Sequence, residues 1–258
     1  MNEYLFFLLA GASGGFLSGL LGIGGGIVMV PILLYLPPFL HLPLIEMKSV
    51  AGLTITQGFF SSLSALFIHY KNRYVNKKLV AVMGITFFIA SLTGGFYSDK
   101  VSNKFLLILF AVLAVFALLL IFQPLKENKN FNGADDIQFN IPKAVLLSIF
   151  LGFLLGMVGQ GGAFIIIPAV VYFLGIPFKV AIGSMLGINL FSTVGGFLGK
   201  LGSNQILFTS AALLVAGAIP AAQLGACLSK KADARVLKTI LSAIIGFTAV
   251  KVCISLFS

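Results

Sequence analysis

The chain is short of charge, of acid, of histidine and of cysteine, and each shortage excludes something. Charged residues are 9% of the 258 positions and hydrophobic residues 59%, with a mean hydropathy of +1.09. A soluble domain carries about 25% charged residues. A water-soluble helical core is therefore excluded, because nothing polar would cover its outside. The two cysteines, Cys227 and Cys253, sit in apolar blocks far from any ligand-type partner. They imply neither a disulfide framework nor a zinc site. All seven acidic residues, Glu3, Glu46, Asp99, Glu127, Asp135, Asp136 and Asp233, fall in loops, in a polar linker or at helix ends. No carboxylate stands at a helix centre, which argues against an Asp/Glu proton relay and against a cation carrier. The two histidines, His41 and His69, also lie near helix ends. An intramembrane enzyme would need a nucleophile with its base, or a carboxylate or metal constellation, at membrane depth. None is visible, so no catalysis, no cofactor and no metal are expected. The net charge of +10 contains no block of five like charges and no basic helix face. Nucleic acid is not an expected partner, and the lysines read as loop charges that set membrane orientation.

What the chain does have is apolar blocks of about 20 residues, the length of helix that crosses a hydrocarbon core roughly 30 Å thick. This predicts an all-α polytopic protein whose solvent is the lipid bilayer. The N-terminal stretch "MNEYLFFLLAGASGG" mimics a signal peptide but lacks the positive first region, and its continuation recurs later, so it is expected to stay in the mature protein.

That recurrence is the strongest pattern in the sequence. "GLLGIGGGIVMVP", residues 19–31, returns as "GMVGQGGAFIIIP", residues 156–168, at an offset of 137. Between residues 15 and 31, eight of 17 positions are identical, among them Gly15/Gly152, Gly19/Gly156, Gly22/Gly159, Gly24/Gly161, Gly25/Gly162 and Pro31/Pro168. From Lys48/Lys179 onward the offset is 131, with Gly52/Gly183, Phe60/Phe191, Ser61/Ser192, Gly94/Gly225 and Ser98/Ser229. The chain is a duplicated unit: a first repeat over 1–122, a polar linker over 123–142 and a second repeat over 143–258. Each repeat reads as one broken apolar segment and three long helices, about eight segments in all: 5–36, 49–69, 79–97 and 104–123, then 143–174, 180–200, 206–228 and 236–257.

The basic residues decide the orientation. If all eight segments cross once, nine of the 17 Lys and Arg fall on one side and eight on the other, with no bias. If each broken segment enters and returns to its own side, each half crosses three times and the second half is inverted. The count becomes twelve inside and five outside, and the positive-inside rule favours this arrangement. Both termini then lie outside and the linker inside. The part after the first glycines, about 27–36, is only about 15 Å long as a helix, so a re-entrant or half-spanning hairpin fits better than two full crossings.

Irregular backbone inside a bilayer is tolerated only where protein or a water-filled cavity surrounds it. Glycines let the chain turn and bring N–H groups close to a ligand. The helix that follows starts with unsatisfied N–H groups and a partial positive charge, an anion-binding end. Two inverted half-helices would aim their N-termini at one midplane site, the pattern of secondary transporters. The competing reading is close helix packing at small-xxx-small spacing, which suits Gly15, Gly19 and Gly22. Gly24, Gly25, Gly26, Gly161 and Gly162 are the candidates for the site. A dinucleotide loop is excluded, since Ile27 stands where the last glycine of G-x-G-x-x-G would be and no strand or acidic partner accompanies it.

The helix after each hairpin adds neutral donors. "SVAGLTITQGFFSS" carries Thr54, Thr56, Gln57, Ser61 and Ser62; "VAIGSMLGINLFSTVGG" carries Ser184, Asn189, Ser192 and Thr193. Hydroxyls and amides can hydrogen-bond an oxyanion without burying a formal charge, though Ser and Thr in membrane helices also bond their own backbone. The amides Gln57, Gln160 and Asn189 are costlier to leave unpaired. The substrate-binding candidates are thus Gly24, Gly25, Gly26, Gly161, Gly162, Gln160, Thr54, Gln57, Ser61, Ser184, Asn189 and Ser192. His69 and Lys200 occupy equivalent positions at the ends of paired helices. They read either as attraction sites or gates for anions or, more commonly for such residues, as side chains that snorkel to the interface.

The paired glycine motifs, each followed by a lysine-bearing turn and a Gly/Ser/Thr helix, resemble the sulfite exporter TauE/SafE family across nearly the whole chain. The resemblance implies a cytoplasmic-membrane permease of a prokaryote for sulfite, thiosulfate, organosulfonates or other small anions. The family's glycine motifs carry over to Gly22, Gly24, Gly25 and Gly26 and to Gly159, Gly161 and Gly162. Ala163 stands where the first repeat has Gly26, so the two turns need not be equal. The expectation is a small-anion permease with its substrate between the two glycine turns; the alternatives are an anion channel or a carrier of a small organic carboxylate.

Overall fold

The computed structural model describes residues 3–71, 74–122, 134, 137–159, 163–201 and 207–257. Over these residues the chain forms ten α-helices and no strand. In order they are α1 (Glu3–Leu21), α2 (Gly26–Phe39), α3 (Met47–Lys71), α4 (Lys77–Tyr97), α5 (Asn103–Phe122), α6 (Ile141–Val158), α7 (Ala163–Leu174), α8 (Phe178–Leu201), α9 (Phe208–Lys231) and α10 (Ala234–Phe257). A 3₁₀ turn, Ser98–Lys100, follows α4. Seven of the helices are long and apolar enough to cross a membrane, and Gly26–Phe39 and Phe164–Leu174 are shorter apolar helices. The chain is an all-α multi-pass membrane protein. Most of the linker lies outside the described residues; Asn140 ends it by capping α6, its side chain accepting from the Lys143 N–H.

Both glycine stretches break a helix, at Leu21–Gly26 and after Val158. The breaks are not central. The first arms, α1 with 19 residues and α6 with 18, have full crossing length, and only α2 with 14 and α7 with 12 are short. The short arms are about 21 and 18 Å long. The expectation of half-helices holds for the second arms alone. Each broken segment folds back on itself. Phe6 and Phe7 of α1 line one cavity with Pro37 and Leu42 at the end of α2. Lys143, Leu146, Leu147 and Phe150 of α6 line another with Phe173 of α7.

Proline sets the weak point of the short arms. Pro31 and Pro168 fall at matching places in α2 and α7. Pro31 has no N–H to give the carbonyl four residues back, that of Ile27. Thr248 of α10 donates to that carbonyl at 3.2 Å, a repair from a neighbouring helix that membrane interiors require.

Packing crosses between the halves. Gly15 and Gly19 of α1 lie against the backbone at Ala218 and Ala222 of α9, and Gly225 of α9 lies against the carbonyl of Phe16. In the same way Gly156 of α6 lies against the backbone of Ser91 in α4, and Gly94 of α4 against the carbonyl of Phe153. At the offsets of 137 and 131 these are the same contacts made twice. A side chain at any of them would drive the two backbones apart, so the small residues here serve close helix approach. Cys227 faces outward and is exposed.

Candidate functional site

The first glycine turn is held between α3 and α8 near their middles. Gly24 and Gly25 both take left-handed backbone angles, φ 67° and 77°, which non-glycine residues avoid. A Cβ on Gly24 would stand 2.7 Å from Asn189 Nδ2, and one on Gly25 would meet the Gly14 carbonyl and Gln57 Nε2. The turn thus lies directly against the two amides. Gly25 is the N-cap of α2 and has no side chain to satisfy the first N–H groups. Its carbonyl accepts from Val28 and Met29, so the helix is fully formed from Gly26 onward.

Asn189 Nδ2 donates to Ser62 Oγ at 2.6 Å, while its Oδ1 is buried without a hydrogen-bond partner among the described residues. The Gln57 amide has bonds in either orientation. One has Nε2 donating to Ser61 Oγ at 3.3 Å; the other has Nε2 donating to the Gly24 carbonyl at 3.3 Å and Oε1 accepting from the Gly15 N–H at 3.2 Å. Gly58 admits the Gly24 carbonyl, which would lie 3.2 Å from a Cβ there.

The second turn, at Gly159, meets α3 nearer its start. Gly159, at φ 81°, lies against the Ala51 carbonyl of α3, and Thr54 Oγ1 donates to the Gly159 carbonyl at 2.9 Å. Its counterpart Gly22, at φ 70°, would place a Cβ 2.6 Å from the Ile182 carbonyl of α8. Ala51 and Ile182 are themselves matched positions. Each turn is therefore anchored on the core helix of the opposite half. The expected site residues Gln160, Gly161 and Gly162 lie outside the described residues.

The remaining candidates have local partners. Ser61 Oγ donates to the Gln57 carbonyl at 2.8 Å, the back-bonding expected of a membrane-helix serine. Ser184 Oγ accepts from the Asn76 N–H at 2.9 Å, at the start of α4. The Ser192 carbonyl accepts from Ser91 Oγ at 2.8 Å. Thr54, Gln57, Ser61, Ser184, Asn189 and Ser192 are all buried, so this conformation is closed around them. Two apolar cavities of about 470 Å³, one between α2 and α10 and one beside α6, lie on the flanks and contain none of these residues. Among the described residues no group of three or more His, Cys, Asp or Glu is placed to hold a metal.

Sequence reasoning missed three things. Gly58 was passed over, although its missing side chain is what lets the Gly24 carbonyl approach. Asn76 was missed too; it caps α4 through Leu79 and holds Ser184. His69 and Lys200 do not snorkel. His69 is 3% exposed and Lys200 0%. His69 Nε2 lies 3.1 Å from the Gly19 carbonyl, and Lys200 Nζ donates to Ser98 Oγ at 2.8 Å and to the Met157 carbonyl at 3.2 Å. Each reaches back to a carbonyl at the end of its own half's first arm, a partner that makes burial tolerable.

Residues 7–252 match the family described as Sulfite exporter TauE/SafE, so the chain belongs to that family. A probable membrane transporter protein of Methanocaldococcus jannaschii is 25% identical over 93% of this chain and 91% of its own length. The probable membrane transporter protein YunE of Bacillus subtilis is 27% identical over 94% of both chains. A probable membrane transporter protein of Haemophilus influenzae is 28% identical over 72% of this chain and 71% of its own. No solved structure matches the chain significantly.

Proposed function

We propose that this transporter of the sulfite exporter TauE/SafE family carries small anions, in particular sulfur oxyanions or organosulfonates, bound between its two glycine turns. One observation carries the reading: the Gly24–Gly25 turn opens α2 directly against the amides of Asn189 and Gln57, with no buried carboxylate among the described residues. Uncapped N–H groups and neutral amide donors suit an anion and offer little to a cation. The orphaned Asn189 Oδ1 fits an amide that turns to present its NH₂ to a bound oxyanion. Gly24, Gly25, Gly26, Gly161 and Gly162 would supply backbone donors; Thr54, Gln57, Gln160, Ser61, Ser184, Asn189 and Ser192 would form the polar wall. Inverted halves, with both termini outside, would aim the short arms at this point from opposite sides. The folding back of each broken segment supports that topology, and so does the count of twelve basic residues inside against five outside.

The test is thermal stabilisation of the purified protein against sulfite, thiosulfate, sulfonates, carboxylates, chloride and divalent metals. A ligand of the folded state raises stability by about 2.7 kcal/mol at a hundred times its Kd. Stabilisation by a sulfur oxyanion or sulfonate and not by metals is expected. Stabilisation by a carboxylate alone would reassign the substrate, and stabilisation only by a cation would overturn the reading. Saturable uptake would distinguish a carrier from a channel.

A further inference from the structure

His69 and Lys200 are the two titratable side chains in the buried set of the described residues. They end two matching stripes. On α3, Gly58, Ser62, Ala65 and His69 are spaced four, three and four apart, which places them on one face. Gly58 meets the first turn, Ser62 bonds Asn189, and Ala65 packs with Leu186, Ala222 and Ala226. On α8, Asn189, Thr193, Gly196 and Lys200 repeat the register at the offset of 131. Each stripe runs about 16 Å from the turn region to its basic end.

The two ends differ in one respect. Lys200 Nζ donates to Ser98 Oγ and the Met157 carbonyl. His69 Nε2 faces the Gly19 carbonyl, which can only accept, so Nε2 carries the hydrogen and Nδ1 carries a lone pair. Nδ1 is buried and has no hydrogen-bond partner among the described residues.

The elements packed around His69 bring mostly positive charge to this end. α9 ends in Lys230 and Lys231, followed by Asp233, Arg235 and Lys238. α8 carries Lys179, placed 5.9 Å from the Tyr74 ring, and its Ser184 accepts from the Asn76 N–H in the stretch between α3 and α4. α3 itself continues with Tyr70 and Lys71, and Lys77 of α4 stands 5.8 Å from the Tyr70 ring. α1 gives the Gly19 carbonyl, its titratable residues Glu3 and Tyr4 being at its other end. A proton added at Nδ1 puts a charge on a buried imidazole, a desolvation cost that a bound anion offsets. Proton and anion therefore favour each other.

We propose that His69 is the proton site of the transport cycle: Nδ1 takes up one proton as the anion binds and gives it up as the anion leaves, so one proton travels with each anion. This rests on the anion reading above. The balance is simple: the neutral imidazole becomes imidazolium and returns, no other bond changes, and a monovalent anion moves without net charge.

The experiment uses the full chain in liposomes with a pH dye inside. Thiosulfate and methanesulfonate are the probes, since both stay fully ionised between about pH 5.5 and 8.5, the range in which imidazole titrates. In the wild type, proton uptake accompanies anion uptake, and transport falls up to about tenfold per pH unit on the alkaline side, the limit for one linked proton. His69→Lys gives anion uptake with no proton movement and no pH dependence. His69→Gln loses proton movement and weakens uptake. Proton movement that persists in either variant, or pH-independent uptake by the wild type, overturns the proposal and leaves the anion reading intact. Failure of wild type and variants alike to take up or be stabilised by either anion overturns both.

Discussion

α3 and α8 align with each other at an offset of 131, yet they do not carry the same polar groups. α3 holds Thr54, Gln57, Ser61, Ser62 and His69; α8 holds Ser184, Asn189, Ser192, Thr193 and Lys200. Where α8 places Asn189, α3 has only Gly58, and where α3 places Thr54, α8 has Met185. The scaffold contacts are duplicated, glycine against carbonyl, and so are the hydroxyls at Ser61/Ser192 and Ser62/Thr193 and the bases His69/Lys200, while Thr54, Gln57, Ser184 and Asn189 each occur in one half alone. Packing constraints bind both copies equally and keep them alike. A single substrate between them needs each donor once, so the copies are free to differ.

The sharpest way to break the comparison is at the anchors. Gly22→Leu and Gly159→Leu should be equally damaging, since each forces a side chain into the opposite core helix at a left-handed φ. A loss of about 3 kcal/mol or more is expected in each, seen as collapse of folded yield in detergent. Unequal losses would mean that the halves do not share one scaffold. Next come the buried bases. Lys200→Met and His69→Met each leave one buried carbonyl short of a donor, Met157 or Gly19, at about 1–3 kcal/mol by thermal unfolding.

The divided donors should show themselves in binding and less in stability. Asn189→Leu removes an amide that presses on Gly24, and about a tenfold rise in KM for the stabilising anion is expected, equivalent to one charge-assisted hydrogen bond of about 1.4 kcal/mol. Asn189→Asp should abolish anion uptake while the protein still folds. Thr54→Val removes the bond to the Gly159 carbonyl and should cost about 1 kcal/mol. Ser184→Ala, which loses only the bond from the Asn76 N–H, should have the smallest effect, at or below about 1 kcal/mol.

Much of this was legible before any coordinates. The eight apolar segments fall within a few residues of their helices, because long hydrophobic blocks between lysine-bearing loops leave little freedom. The breaks at Gly22–Gly26 and at Gly159 were legible because inside a bilayer glycine clusters have few other uses. What could not be read is which half each hairpin packs against. Gly22 on Ile182 and Gly159 on Ala51 are contacts across more than a hundred residues, and nothing local encodes them. The burial of His69 and Lys200 was hidden for a related reason. A basic residue in the last turn of a membrane helix normally reaches for the interface, and only the fold supplies the carbonyls of Gly19 and Met157. Asn189, by contrast, could be named from sequence, since an amide in an apolar helix must find a partner somewhere.

The burial of every described candidate donor has a consequence for measurement. If the closed arrangement dominates, any binding constant is the intrinsic one divided by the fraction of molecules that are open. A substitution outside the donor set that favours opening would then register as tighter binding, with no new contact to the ligand. Thr248 is the place to look: its hydroxyl ties α10 to the one carbonyl that Pro31 leaves unpaired. Releasing that tie, as in Thr248→Val, would loosen the short arm and raise apparent affinity while lowering the melting temperature, two readings that ordinarily move together.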